Sequence, residues 1–103
     1  MLLLVVTRSV IPITRKSKLE TKIRSHPTPS DIKFAELRKF LLSRGFLESK
    51  GDDNAHYLFY KIVSGKYYHA VVAKPHRAGD GVKKNYITNV ERMLEMIEFE
   101  SEF

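Results

Sequence analysis

The chain has 103 residues, no cysteine and a formal net charge of +6 at pH 7. Its length allows one domain with a small two-layer core, and a chain without cysteine has neither disulfides nor thiolate metal sites. Hydrophobic residues make up 43% and charged residues 29% of the chain, which is typical of a globular rather than a disordered protein.

Residues 1–30 form a basic segment without a sustained helical or strand period. Six Lys and Arg residues stand here against a single Glu, and three prolines interrupt any helix. The apolar start is too short for a secretory signal or a membrane span, and residues 2–6 are compatible with one short strand. We therefore predict a mobile or loosely docked basic extension over residues 1–30, a cytoplasmic location and no membrane partner.

An amphipathic helix is predicted over residues 33–44. Phe34, Leu37 and Leu41 recur at the spacing that places them on one helical face. Gly45 follows and is suited to a left-handed C-terminal cap. The pattern leaves the first residue of the helix open between residues 31 and 33.

Three strands are predicted next, beginning with a short one over residues 46–49. Residues 55–63 and 66–74 are rich in Tyr, Phe, Ile and Val, and only Ser64-Gly65 separates them. This spacing is typical of a β-hairpin in which Gly65 takes a positive φ.

The last predicted element is a second amphipathic helix over residues 85–98. Pro75 ends the preceding strand because it has no N–H for a β-ladder, and "HRAGDG" forms a loop. Ile87, Val90 and Leu94 then return to the helical spacing.

The predicted order is therefore α-β-β-β-α within a domain of residues 31–103. Each helix has one apolar stripe that needs a covering surface. We predict an α+β fold in which a three-stranded antiparallel sheet carries both helices on one face. The other sheet face is left open for function.

His56 begins the central strand after a polar turn. Alternation places His56, Leu58, Tyr60 and Ile62 on one face and Tyr57, Phe59, Lys61 and Val63 on the other. Both sets are partly apolar, so alternation alone leaves open which face meets the helices. The polar start of the His56 set favours an outward position.

RNA cleavage without a metal needs a proton acceptor for the 2′-hydroxyl and cations beside the phosphate. Histidine suits the first task and Lys or Arg the second. His56 is the candidate acid or base, although a lone strand histidine is more often structural. No convincing metal-ligand set or glycine-rich phosphate loop is present, so no cofactor is predicted. The candidate phosphate-binding residues are Lys50, Lys74, His76, Arg77, Lys83 and Lys84.

Four motifs carry a resemblance to a known family. They are "FAELRKFLLSRGF", "NAHYLFY", "KPH" and "VKKNYITNVERML". In the identity and order of these four motifs the chain resembles the HicA (YcfA-like) family of small toxins, which are mRNA interferases partnered by HicB antitoxins. The resemblance covers roughly residues 33–98.

The resemblance implies a fold like that of double-stranded-RNA-binding domains and a catalytic role for His56. It also implies an mRNA substrate and a HicB-like antitoxin as protein partner, with His76 near the family's second histidine. Asn54-Ala55 replaces the Gly-Ser that precedes the histidine in the family, and Asn85 replaces a glycine. We expect slower turnover than in a typical member, because the serine hydroxyl is missing.

Two non-catalytic alternatives remain open. The basic entry to the last helix is also found in modules that only bind double-stranded RNA. Alternatively, the open sheet face is covered by another protein, and its tyrosines are the interface anchors. Strand cleavage separates the toxin from both. The candidate anchors are Tyr57, Tyr60, Tyr67 and Tyr68.

Overall fold

A three-stranded antiparallel sheet and three helices make up residues 15–77 and 79–101, which are the residues that the computed structural model describes. The predicted α-β-β-β-α order is confirmed, and one further helix precedes it. The strand considered at residues 2–6 lies outside the described residues. In chain order the elements are α1 (Arg15–Ile23), α2 (Phe34–Ser43), β1 (Leu47–Lys50), β2 (His56–Val63), β3 (Lys66–Ala73) and α3 (Lys84–Ser101).

The sheet has the strand order β1-β2-β3, with both neighbouring pairs antiparallel. The β2–β3 hairpin turns at Ser64-Gly65, as predicted. Ser64 has φ 51° and Gly65 φ 80°, and two consecutive positive φ values match the twist of the flanking strands. The resulting register places His56 opposite Ala73.

Helix α2 ends in the predicted glycine cap. Gly45 has φ 90°, and its N–H donates to Leu42 O at 3.1 Å. The Phe46 N–H donates to Leu41 O at 3.1 Å, which completes a Schellman motif and turns buried Phe46 back onto the helix. At the other end the Glu36 carboxylate accepts the Lys33 N–H at 2.8 Å, so the helix begins after Lys33.

The core lies between one face of the sheet and the helices α2 and α3. Phe59 of β2 and Val72 of β3 are fully buried against it, as are Leu37 of α2 and Val90 of α3. Both helices therefore cover one sheet face, as predicted, and this is the face of Tyr57 and Phe59. The prediction that Tyr57 and Tyr68 are anchors on the open face is wrong, because Tyr68 is buried in the core and Tyr57 packs against it. The burial of these apolar side chains is the main stabilising term of the domain.

Helix α1 is a feature that the sequence analysis did not predict. It packs against α2 and α3 through Leu19 and fully buried Ile23. Glu20 forms an ion pair with Arg44, which follows α2. Two apolar side chains in a basic, Ser- and Thr-rich segment are too few to produce a recognisable helical period. Within residues 15–30, the predicted extension thus contains a docked helix.

No helix in the described ranges, residues 15–77 and 79–101, is long and apolar enough to cross a membrane.

Candidate functional site

An open cleft of about 630 Å³ lies at the end of the sheet where β2 begins and β3 ends. The two strand ends are held together by the Lys74 N–H, which donates to Ala55 O at 2.7 Å. The first turn of α3 and the loop before it form the opposite wall. The lining residues are Ser30, Ala55, His56, Ala73, Lys74, Pro75, His76, Arg77, Asp80, Gly81, Lys83 and Tyr86.

The wall of the cleft is fixed by a close crossing of two backbone segments. Lys33 and Gly81 form an isolated antiparallel bridge, and the Val82 N–H donates to Ile32 O at 2.7 Å. A Cβ on Gly81 would lie 2.0 Å from Ser30 O. Only glycine permits this approach, so Gly81 is required for the shape of the cleft.

His56 is oriented by Asp53 in the turn that precedes β2. The Oδ1 atom of Asp53 accepts the backbone N–H groups of Ala55 and His56, both at 3.0 Å. Its Oδ2 atom contacts the Nδ1 atom of His56. One carboxylate therefore closes the turn and holds the imidazole ring at the same time.

The charge of Asp53 is stabilised by these contacts. The backbone N–H groups of His56 and Ala55, followed by the His56 ring, hold the pKa of the Asp53 carboxyl well below its usual range. An ionised carboxylate on Nδ1 favours the tautomer that carries the proton there, so we assign Nε2 as the free acceptor of the neutral ring.

The Nε2 atom of His56 faces the tyrosine of the first turn of α3. The Tyr86 hydroxyl lies 3.3 Å from Nε2, and the two rings meet edge to face at 6.2 Å. The His56 side chain is nevertheless 48% exposed. His56 is thus exposed to solvent, as predicted, at the end of β2 where its ring opens onto the cleft and contacts Tyr86.

Most of the predicted phosphate-binding residues share the cleft with His56. Lys74, Arg77 and Lys83 are exposed cations on its lining, and His76 lies among them. Asp80 is an acidic residue in the same lining, so the cations outnumber the acids there. A concave surface with excess positive charge attracts polyanions.

The two remaining predicted residues lie outside this lining. Lys50 lines a neighbouring cleft of about 590 Å³, which shares Lys74 and Arg77 with the first one. Lys84, the first residue of α3, lines neither cleft. Lys83, which directly precedes α3, lines the first cleft, while Lys84 does not.

Two residues of this site, Asp53 and Tyr86, are not among the sequence-predicted site residues. Asp53 belongs to the polar turn before β2, and a carboxylate three residues before a histidine is within reach of its ring. Tyr86 gave no local signal, because it lies 30 residues from His56 in the chain. Only the packing of α3 beside β3 brings its hydroxyl to the imidazole.

Within residues 15–77 and 79–101, no group of three His, Asp or Glu side chains is placed so that it could hold a metal ion.

Comparison of the chain with protein-family profiles, curated proteins and solved structures found no match. The resemblance to the HicA family therefore stays a prediction that rests on the four motifs. Asn54, at the position of the family's glycine, has φ 60°. Asn is among the residues that tolerate this left-handed conformation best after glycine.

Proposed function

We propose that this protein is an RNA endonuclease in which His56 transfers a proton at the scissile phosphodiester. The observation that carries the proposal is an exposed histidine, oriented by Asp53, that opens onto the same cleft as Lys74, Arg77 and Lys83. With the motif resemblance, this supports a HicA-like mRNA interferase in the cytoplasm, with a HicB-like antitoxin as its protein partner.

The proposed reaction is an internal displacement at phosphorus. The substrate 2′-hydroxyl takes the place of the Tyr86 hydroxyl and donates its proton to Nε2 of His56. The 2′-oxygen attacks phosphorus, the bond to the 5′-oxygen breaks, and the leaving oxygen takes a proton from solvent. The products are a 2′,3′-cyclic phosphate and a free 5′-hydroxyl. Asp53 stabilises the imidazolium that forms on the way.

The cations of the cleft act on the phosphate. Negative charge builds on the non-bridging oxygens as the 2′-oxygen approaches. Cationic side chains therefore stabilise the transition state, which carries this charge, more strongly than they stabilise the ground state. Lys74, Arg77 and Lys83 come from the strand exit, the following loop and the entry to α3. Three separate segments thus supply positive charge to one site.

The test is cleavage of a single-stranded RNA by the purified protein and by His56→Ala and His56→Gln. We expect both substitutions to lower the cleavage rate by about 10²- to 10⁴-fold, because each removes the proton acceptor. The fold should be unchanged by circular dichroism, since an exposed strand residue contributes little packing.

A chemical control uses the same strand with one 2′-deoxynucleotide at the cut position. The proposed reaction requires the 2′-hydroxyl, so the bond at the substituted position should stay intact while neighbouring bonds are still cut. Undiminished cleavage by His56→Ala would refute the proposal. Salt-dependent RNA binding without any cut strand would instead identify a binding module, and growth arrest on expression would then be absent.

A further inference from the structure

The open face of the sheet carries a cluster of three aromatic rings. The ring centroids of Tyr60 and Tyr67 are 5.9 Å apart, and those of Tyr67 and His69 are 5.1 Å apart. Tyr60 and His69 are directly opposite each other in the β2–β3 ladder. Tyr67, which contacts both, is 53% exposed. Rings of this kind on an exposed sheet offer flat apolar surfaces to a ligand.

The cluster and the cleft lie along the same two strands, β2 and β3. His56 and Ala73 form the last β2–β3 pair on the same face, and both line the cleft. Tyr60 lies four residues from His56 along β2, which is about 13 Å at about 3.3 Å per residue. A chain bound with one phosphate at His56 therefore reaches the aromatic rings within a few nucleotides.

The charge of this face suits a polyanion. No acidic side chain occurs among the strand positions that form it, and Asp53, which contacts the His56 ring, lies at one end of the face. The cations that attract a phosphate backbone stand at the His56 end of the face. The face is formed by Leu47, Ser49, His56, Leu58, Tyr60, Ile62, Tyr67, His69, Val71 and Ala73.

We propose that Tyr60, Tyr67 and His69 form a stacking platform for unpaired bases next to the cleaved bond, so that the protein selects single-stranded nucleic acid. This rests on the proposed function, because the cleft supplies the grip on the phosphates. Proteins that bind single strands combine a cationic groove with aromatic side chains on which the bases stack. A duplex offers no free base faces and is disfavoured at this platform.

The test measures binding of fluorescent single-stranded oligodeoxythymidylate, which lacks the 2′-hydroxyl and is not cut. We expect Tyr67→Ala to weaken binding by about 5- to 150-fold, which corresponds to the loss of one stacked base. Tyr67→Phe should bind like the wild type because it keeps the ring. An abasic strand of equal length should bind the wild type and Tyr67→Ala equally weakly.

Leu47→Ala and Ile62→Ala are the matched controls. Both side chains lie on the same face and are more exposed than Tyr67, at 58% and 69%, but neither has a ring. They should leave oligonucleotide binding unchanged. If they weaken binding of the strand as much as Tyr67→Ala does, general apolar contact accounts for it and the platform is refuted. A dimer in sedimentation that Tyr67→Ala dissociates would show that a second copy occupies the face, which also refutes the platform.

Failure of the platform and failure of the proposed function are distinguishable. If RNA is cut with dependence on His56 but Tyr67→Ala binds the strand like the wild type, the platform is wrong and the endonuclease stands. If binding depends on Tyr67 but no RNA is cut, the endonuclease is wrong and the platform stands. A wild type that does not bind the strand overturns the platform outright.

Discussion

At the scale of single residues, Asp53 joins local structure to chemistry. Its carboxylate accepts two backbone N–H groups of the turn and also contacts Nδ1 of His56. The turn therefore holds the imidazole in place before any substrate arrives. A preorganised orienting group of this kind saves the cost of ordering the ring during the reaction.

Replacing Asp53 by Asn should slow RNA cleavage while leaving the turn closed. The amide oxygen still accepts the N–H groups of Ala55 and His56, but the negative charge that stabilises the imidazolium is gone. We expect a lower kcat with little change in KM. The decrease in kcat should be smaller than the about 10²- to 10⁴-fold decrease that follows removal of the acid–base group itself. Single-turnover kinetics check this. A rate equal to that of the wild type would show that Asp53 is only a turn residue.

The lowered pKa of Asp53 predicts a pH dependence of its own. The folded-state pKa lies below the unfolded value of about 3.9, so this contribution to stability is present above that value and is lost as pH falls towards the folded-state pKa. The Asp53 carboxyl should thus remain ionised at pH values at which an aspartate of the unfolded chain is already protonated. Side-chain NMR titration of the wild type measures this, and Asp53→Asn removes the signal.

At the scale of elements, the molecule depends on contacts that tie α1 and the cleft wall to the α-β-β-β-α frame. Helix α1 is anchored by Ile23, and the loop before α3 is anchored by its bridge to Lys33. The bridge places Lys83 and Tyr86 at the cleft, because α3 begins directly after it. The position of this wall of the cleft is therefore set by a backbone crossing.

Gly81→Ala should destabilise the fold by about 1–3 kcal/mol, the usual cost of overpacking, because its Cβ would meet Ser30 O at 2.0 Å. Gly79→Ala is the matched control in the same loop, since a Cβ there has no atom within 4 Å. The control should be neutral or more stable by up to about 1 kcal/mol. Urea unfolding measures both. Equal stability of the two variants would show that the crossing can relax.

At the scale of the whole molecule, several exposed cations lie together at one end of the sheet. The chain carries a net charge of +6, and the acidic residues of α3 lie mostly beyond its first two turns. Some cations are neutralised by pairing, as Lys66 is by Glu100 and Arg38 by Glu48. The cations of the cleft add to a local positive potential, and under the proposed function this potential steers nucleic acid towards His56.

RNA binding should weaken steeply with salt, and Lys83→Ala should reduce the log–log slope by about 0.7 to 1. Lys83 lines the cleft and adjacent Lys84 does not, so Lys84→Ala should change the slope less. Lys66→Ala, at the far end of β3, should leave it unchanged. Anisotropy titrations at several salt concentrations measure the slopes. Equal effects of all three substitutions would indicate nonspecific attraction without a defined phosphate site.

Local patterns in the sequence were sufficient to predict most of the frame. The period of Phe34, Leu37 and Leu41, the Gly45 cap and the Ser64-Gly65 turn depend on neighbouring residues, whose backbone preferences act within a few positions. For the same reason the cations near Pro75 were recognised as one group, since they follow one another along the chain.

The tertiary structure alone decided the rest, because it depends on contacts between distant segments. Docking of α1 requires the groove between α2 and α3, which exists only once the sheet has formed. Tyr86 meets His56 only because α3 packs beside β3, and the two sheet faces are distinguished only by which one the helices cover. Neither propensity nor alternation encodes these choices. They follow from burying the largest apolar area that one packing arrangement allows.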